Sequence, residues 1–256
     1  MRTHVKQRPD APEGFFEAEA AGLAWLAAAS DDGGAAIVRV ADVAPGRIEL
    51  ERVDETGATR EAAERFGAQL ARTHAAGAPA FGSPPAGHDG PNFIGRRAQE
   101  CRPTESWGLF YAEQRVRPFA RVAFDAGNLT VDELRLVESA ADLVASGALD
   151  NGRAPARLHG DLWAGNVLWA ASGAVLIDPA AHGGHPETDL AMLALFGLSH
   201  LETVLAAYDD AAPLVDGWRR RIPMHQLHPL AVHAAGHGRS YGVALADAAR
   251  QTLALA

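Results

Sequence analysis

The sequence predicts an α+β protein of two unequal lobes: a small β-rich lobe over residues 1–54 and a large, mainly helical lobe over residues 55–256. Three observations carry this. Short apolar runs separated by Gly-Gly and Pro-Gly turns crowd the N-terminal segment. Apolar stripes at three- and four-residue spacing dominate the rest. A chain of 256 residues, 48% hydrophobic and 21% charged, buries enough surface to fold without a disulfide or structural metal.

Taken in order, residues 3–6 read as the end of a strand and 9–14 as a turn-rich loop. Phe15, Ala18, Gly22 and Leu26 recur at helical spacing, predicting a helix over 15–29 that Asp31-Asp32-Gly33-Gly34 breaks. Residues 35–43 and 47–53 read as strands joined at Pro45-Gly46. A connector over 55–59 leads to an amphipathic helix over 60–76, with Phe66 and Leu70 on one face. The Gly- and Pro-rich stretch 77–103 predicts a long ordered loop, of the sort that often serves function. An aromatic mixed segment, 107–116, follows. Thr130 with Glu133 three residues on predicts a capping box for a helix over 130–146. Further helices are predicted over 187–208, 222–235 and 239–255, and no internal repeat is present.

The formal net charge of -9 disfavours nucleic acid and anionic membranes as partners. A lone Cys101 with no CxxC neighbour suits a reducing cytoplasm and reads as a bystander. The polar start MRTHVKQRPD lacks the apolar core of a signal peptide, and no apolar run reaches the length of a membrane span. A cytoplasmic location is the expectation.

The chemistry is concentrated in His159-Gly160-Asp161-Leu162-Trp163-Ala164-Gly165-Asn166 and the segment running on to Asp178. Residues 167–169 and 174–177 are short apolar strands around a turn at 170–173. With the hairpin centred near residue 172, Asn166 and Asp178 face each other at its open end. They form an oxygen-rich pair suited to Mg2+. Asp161 precedes Asn166 by five residues, the spacing of a kinase catalytic loop, H-x-D-x-x-x-x-N. Phosphoryl transfer needs a carboxylate to take the proton of an in-line hydroxyl, and metal to neutralise phosphate oxygens. Asp161 is placed for the first role, Asn166 and Asp178 for the second. Each residue alone would read as an ordinary turn residue; together they do not. His159 reads as structuring the loop. Upstream, a strand lysine, Lys6, and a helix glutamate, Glu19, match the pair that orients ATP phosphates, although either alone would read as a surface charge. This element order predicts a bilobal protein-kinase-like fold.

The blocks HGDLWAGNVLW, LIDPAAHGGHPETDLAML, FFEAEAAGLAWL, PNFIGRRAQ and WGLFYAEQRV closely resemble the fructosamine (ketosamine) kinase family, with the resemblance spanning nearly all of residues 3–256. HGD-x4-N is shared with aminoglycoside and choline kinases and marks only the superfamily; the other blocks are more specific. The resemblance implies ATP- and Mg2+-dependent phosphorylation of a sugar hydroxyl on a small glycated amine or a glycated protein lysine, leading to deglycation. It implies Asp161 as base, Asn166 and Asp178 as metal ligands, Lys6 and Glu19 as the nucleotide pair, and Glu51, Arg52 and Val53 as the hinge that meets adenine. It also implies Asp189 as a brace of the catalytic loop, Trp163 as a platform for the sugar, and Arg115, with Arg96 and Arg97, on the substrate side. Trp163 reads equally well as core, and Asp189 also as a helix N-terminal carboxylate.

One departure stands out. The kinase layout places two strands and a phosphate-covering loop before the lysine strand, about thirty residues that have no counterpart before Lys6. The small lobe is therefore expected to be N-terminally truncated and to bind ATP weakly. The alternatives are a related kinase for an aminoglycoside or choline-like acceptor, and a catalytically impaired kinase-fold protein. His182-x-x-His185 with Glu187 and Asp189, and the group His225, His228, His233 and His237, suggest zinc only weakly: the family resemblance accounts for the first set as a loop, and the second spans a proline and a helix with no regular one-face spacing. Arg219-Arg220-Arg221 reads as a solvated face.

Overall fold

In the computed structural model, which describes residues 2–256, the small lobe is a three-stranded antiparallel sheet over one helix. Strand β1 (Thr3–Gln7) is followed by α1 (Phe15–Ala27), a two-residue strand β2 (Ala36–Ile37), then β3 (Val40–Ala44) and β4 (Arg47–Glu51). The sheet order is β1-β4-β3, with Lys6 opposite Ile48. Gly46, at φ 72, allows the turn between β3 and β4 that a side chain would strain. Phe16 and Leu23 of α1 pack on Val38, Ile48 and Leu50, so the helix face carrying them is set against the sheet.

Helix α2 (Arg60–Ala75) opens on a Thr59 cap that accepts from the Ala62 N–H. A short hairpin, β5 (Asn92–Ile94) and β6 (Arg97–Gln99), comes next, and then α3 (Trp107–Tyr111), a π turn over Ala112–Val116 and α4 (Arg117–Asp125). Helix α5 (Val131–Ala145) has the predicted Thr130–Glu133 capping box. Strand β7 (Ala156–Leu158) leads to the hairpin β8 (Val167–Ala170) and β9 (Gly173–Leu176), and β10 (His182–Gly184) returns beside β7. The chain ends with α6 (Pro186–Phe196), α7 (Leu201–Ala211), α8 (Trp218–His225), α9 (Leu227–His237) and α10 (Arg239–Leu253). One core joins the α3–α5 region to α9 and α10; another joins α2, the β8–β9 hairpin, α6 and α7. Among the described residues no helix is long and apolar enough to cross a membrane.

The differences from expectation have local causes. The strand expected over 35–43 divides, because Ala36–Ile37 pairs in parallel with β9 rather than with the small sheet, and the Val38 N–H continues that ladder to Leu176 O at 3.0 Å. The loop expected over 77–103 contains the β5–β6 hairpin, too short to show a period. The helix expected over 187–208 stops at Gly197, whose φ of 74 ends it. The helix expected over 222–235 restarts at Leu227. Pro229 has no N–H to give His225 O, and the Tyr111 hydroxyl donates to that carbonyl at 2.7 Å while accepting from the His228 N–H at 3.1 Å.

Tyr111, 1% exposed, thus closes the gap between two helices. Tyr111→Phe is expected to leave both backbone groups without their partner and to lower stability by about 2 kcal/mol, read as a lower urea midpoint at unchanged slope.

Candidate active site

Strand β7 delivers the chain into His159-Gly160-Asp161, where a buried carboxylate receives it. Asp189, in the first turn of α6 and 1% exposed, accepts from the His159 N–H at 2.8 Å and the Gly160 N–H at 3.0 Å. His74 of α2 approaches it at 3.1 Å through Nε2, with its Nδ1 2.9 Å from the Tyr208 hydroxyl of α7. Burial alone would raise the Asp189 pKa; the hydrogen bond and charge of His74 and the loop N–H groups hold it below its ordinary value. His159 ties the loop to the next strand, with Nε2 2.9 Å from Ile177 O and Nδ1 accepting from the Asp161 N–H at 3.3 Å. Gly160 sits at φ 82, and a Cβ there would lie 2.2 Å from Ala180 O, so the loop closes this tightly only on glycine.

The β8–β9 register pairs Val167 with Leu176 and Ala170 with Gly173. Asn166 therefore faces Ile177, whose N–H it accepts at 3.1 Å, and Asp178 lies one step beyond. The expected pairing is displaced by one residue, yet the two groups still meet: Asn166 Nδ2 donates to Asp161 O at 2.7 Å and Asp178 O at 3.3 Å. Asp178 has the left-handed φ of 54, uncommon outside glycine but more accessible to Asp than to most residues. Burial and the neighbouring Asp178 charge push the Asp161 pKa up to about 7, against the opposing hydrogen bond from Asn166.

Lys6 Nζ donates to Glu19 Oε1 at 2.7 Å and also pairs with Asp178. Burial works against the Lys6 ammonium, but the two carboxylates outweigh it and its pKa is raised. Two clefts meet here. One, of about 430 Å3, is lined by Lys6, Val38, Leu50, Glu51, Arg52, Val53, Leu168, Ile177 and Asp178, giving apolar walls for a flat ring beside the strand-β4 exit. The other, of about 250 Å3, is lined by Phe15, Glu19, Asn92, Phe93, Asp161, Trp163, Asn166 and Asp178. Asp178 borders both.

Trp163 is 41% exposed at the cleft and not in the core. Gly165 leaves room beneath its ring, since a Cβ there would sit 2.3 Å from it. Arg115 departs from its expected place. It is 1% exposed, donates to Glu100 O at 2.6 Å and lies against Cys101 Sγ at 3.6 Å, because the π turn rotates it inward under Phe110. It reaches the cleft only through Cys101, whose sulfur also meets Asn92 Nδ2 at 3.1 Å. Arg97 likewise turns to a helix, donating to Ala235 O at 2.5 Å, while Arg96 stays exposed at the hairpin tip. Sequence reasoning gave no site role to His74, Phe15, Asn92 and Phe93; the last three lie in the family-specific blocks, which could have pointed to them, whereas no motif marks His74, which the folding of α2 against the loop brings in.

The histidines gather across the two sequence groups. His185, Glu187 and His225 come within 4.8 Å of one another, near enough for one ion. Arg221, however, already grips Glu187 at 2.6 and 2.9 Å, and His185 is engaged at both nitrogens, by Asn151 at 2.9 Å and the Glu187 N–H at 3.2 Å. A dication would add uncompensated charge to a buried neutral pair. The cluster is a structural knot tying α6 to α8.

A lobe-junction cleft bordered by a catalytic-loop aspartate, an Asn–Asp pair and a Lys–Glu pair is the arrangement of phosphotransferases with the protein-kinase-like fold. The comparisons agree. The family model described as fructosamine kinase matches residues 1–254. A relative from Enterococcus faecium, named a probable ketoamine kinase, is 32% identical over 245 residues, 93% of this chain and 83% of its own length. A crystal structure of a candidate fructosamine-3-kinase from Thermobifida fusca superposes with a TM-score of 0.90 at 49% identity, covering 98% of this chain and 85% of that one. Another, from Haemophilus somnus, shares the fold at a TM-score of 0.82 and 22% identity, covering 98% and 83%. The chain belongs to the fructosamine kinase family, and it is a kinase.

The knot gives a pH prediction. Burial would raise the Glu187 pKa, but the close approach of His225 at 3.4 Å and the hydrogen bonds from Arg221 outweigh it and lower it from 4.5 to about 2. Its contribution to stability, roughly 3 kcal/mol, is therefore full above pH 4.5 and lost as pH falls toward 2. Urea titrations of wild type and Glu187→Gln should differ most above pH 5 and converge on acidification; a gap that stays constant with pH would remove Glu187 from this role.

Proposed function

We propose that this kinase transfers the γ-phosphoryl group of ATP, in the presence of Mg2+, to a sugar hydroxyl of a ketosamine, in the cytoplasm and in the service of deglycation. The observation that carries this reading is Asp178 on the border of two clefts, with Lys6 and the apolar slot on one side and Asp161 with Trp163 on the other. A phosphoryl group passing from one cleft to the other would pass Asp178. The lobe junction near residue 54, just after β4, is the natural division of the chain into a nucleotide side and an acceptor side.

The nucleotide base lies in the slot beside Glu51, Arg52 and Val53. Lys6, oriented by Glu19, meets the α- and β-phosphates. Asn166 and Asp178 offer an amide oxygen and a carboxylate, hard donors that fit Mg2+ better than a soft metal. Bound there, Mg2+ would supply charge neutralisation of the phosphate oxygens. Asp161 accepts the hydroxyl proton as the acceptor oxygen bonds to phosphorus and the bond from phosphorus to the ATP β,γ-bridging oxygen breaks. Trp163 backs the sugar face, His159 and Asp189 fix the loop, and Arg115 supports the hairpin bearing Asn92 and Phe93. Small glycated amines and glycated protein lysines are the acceptors. The excess of carboxylates in the acceptor cleft suits an amine-bearing substrate.

Asp161→Asn is expected to leave folding and nucleotide binding intact while lowering turnover on a fructosamine by ~100-fold or more; near-normal turnover would count decisively against the base assignment. Asp178→Ala should abolish both activity and the Mg2+ dependence of ATP binding, measured by calorimetry with and without the metal. Unchanged Mg-ATP affinity in that variant would take Asp178 out of the metal pair.

A further inference from the structure

Trp163, at the edge of the acceptor cleft, begins a strip of rings. Trp163 meets Phe196, at the end of α6, with centroids 6.1 Å apart and planes at 70°. Phe196 packs on His233 of α9 at 4.6 Å, and His233 on Tyr241 of α10 at 5.1 Å. His237 continues the line 5.2 Å from His233. Phe196, His233 and Tyr241 are half-buried and His237 is exposed, so the strip shows at the surface. Leu195 and Val232 of the same helices turn to the core, and Tyr241 packs one side of its ring there while the rest meets the strip. The ring of His233 is held in one orientation by its Nδ1, which lies 2.7 Å from Pro229 O. With the Nδ1 proton donated to that carbonyl, Nε2 keeps its lone pair, and it has no partner among the described residues. Burial lowers the His233 pKa, which keeps the ring neutral and the strip uncharged. The facing wall is fixed to the same helix, because Gly95 lines the cleft and Arg97 of that hairpin donates to Ala235 O of α9.

The direction of the strip matters, and here the argument rests on the ketosamine reading. The phosphorylated hydroxyl has to sit at Asp161 with the sugar beside Trp163, so the amine and whatever it is attached to leave the cleft beyond Trp163. We propose that Phe196, His233 and Tyr241 form a carrier subsite that selects ketosamines whose amine bears a flat aromatic ring. Ring faces supply offset-stacked or edge contacts, each worth about 2- to 10-fold in affinity. The free His233 Nε2 accepts a hydrogen bond from an N–H on the carrier. An aliphatic carrier, the side chain of a glycated lysine included, is still accepted but gains little from the strip.

The test compares two fructosamines that differ only in carrier, one of benzylamine and one of methylamine, with the full chain. Wild type should show a KM at least ~5-fold lower for the benzylamine adduct. Phe196→Leu and, on a separate helix, Tyr241→Leu should each raise that KM several-fold at unchanged kcat. Both should leave the methylamine KM within about 2-fold, and Tyr241→Phe, which keeps the ring, should behave as wild type. Having the two leucine variants on different helices covers the case in which one fails to fold. Equal KM values in wild type, or parallel changes for both carriers, would overturn the subsite while leaving ketosamine phosphorylation standing. Failure of wild type to phosphorylate either adduct, with ATP still bound, would overturn the ketosamine reading and the subsite with it.

Discussion

Asp189 is ionised and 1% exposed, and the placement of the catalytic loop follows from how that charge is satisfied. A carboxylate taken out of water costs several kcal/mol unless hydrogen-bond donors replace its hydration. The donors here are the backbone N–H groups of His159 and Gly160, the two residues before Asp161. The loop cannot shift without orphaning the charge, so Asp161 is held by a constraint that lies behind it. The first turn of α6 adds the favourable field of a helix N-terminus. Through His74 and Tyr208 the same carboxylate is joined to α2 and α7.

In front of the loop the charge balance is unequal. Asp161, Asp178 and Glu19 line the acceptor cleft, and Lys6 reaches two of them. The unmet repulsion shows in Asp161, whose pKa is raised by burial first and by Asp178 next. A site in this condition favours added positive charge.

The histidines show how the fold reassigns residues that look alike in sequence. His182-x-x-His185 and the later group suggest metal only weakly when read separately. Folding combines one member of each with Glu187, but Arg221 enters the same cluster and neutralises the carboxylate. His74 and His159 go to the catalytic loop, and His233 to the surface strip. Their roles differ because each sees a different set of donors and carboxylates.

Local features are written along the chain. The order of strand lysine, helix glutamate, hairpin and catalytic loop, the Thr130–Glu133 capping box, and the five-residue step from Asp161 to Asn166 are set by short-range spacing, which survives in any correct reading of the chain. Features that depend on long-range contact emerge only on folding. The inward turn of Arg115 depends on a π turn that leaves no period in the sequence. The division of residues 35–43 depends on β9, far along the chain, which draws Ala36–Ile37 away from the small sheet. The one-residue shift in the hairpin register depends on which residues the turn at Ala171 and Ser172 includes. His74 and Asn92 enter the site only because α2 and the β5–β6 hairpin pack against the loop. Backbone spacing is written along the chain, but the partners of a buried charge are chosen in three dimensions, and that choice placed the remainder of the site.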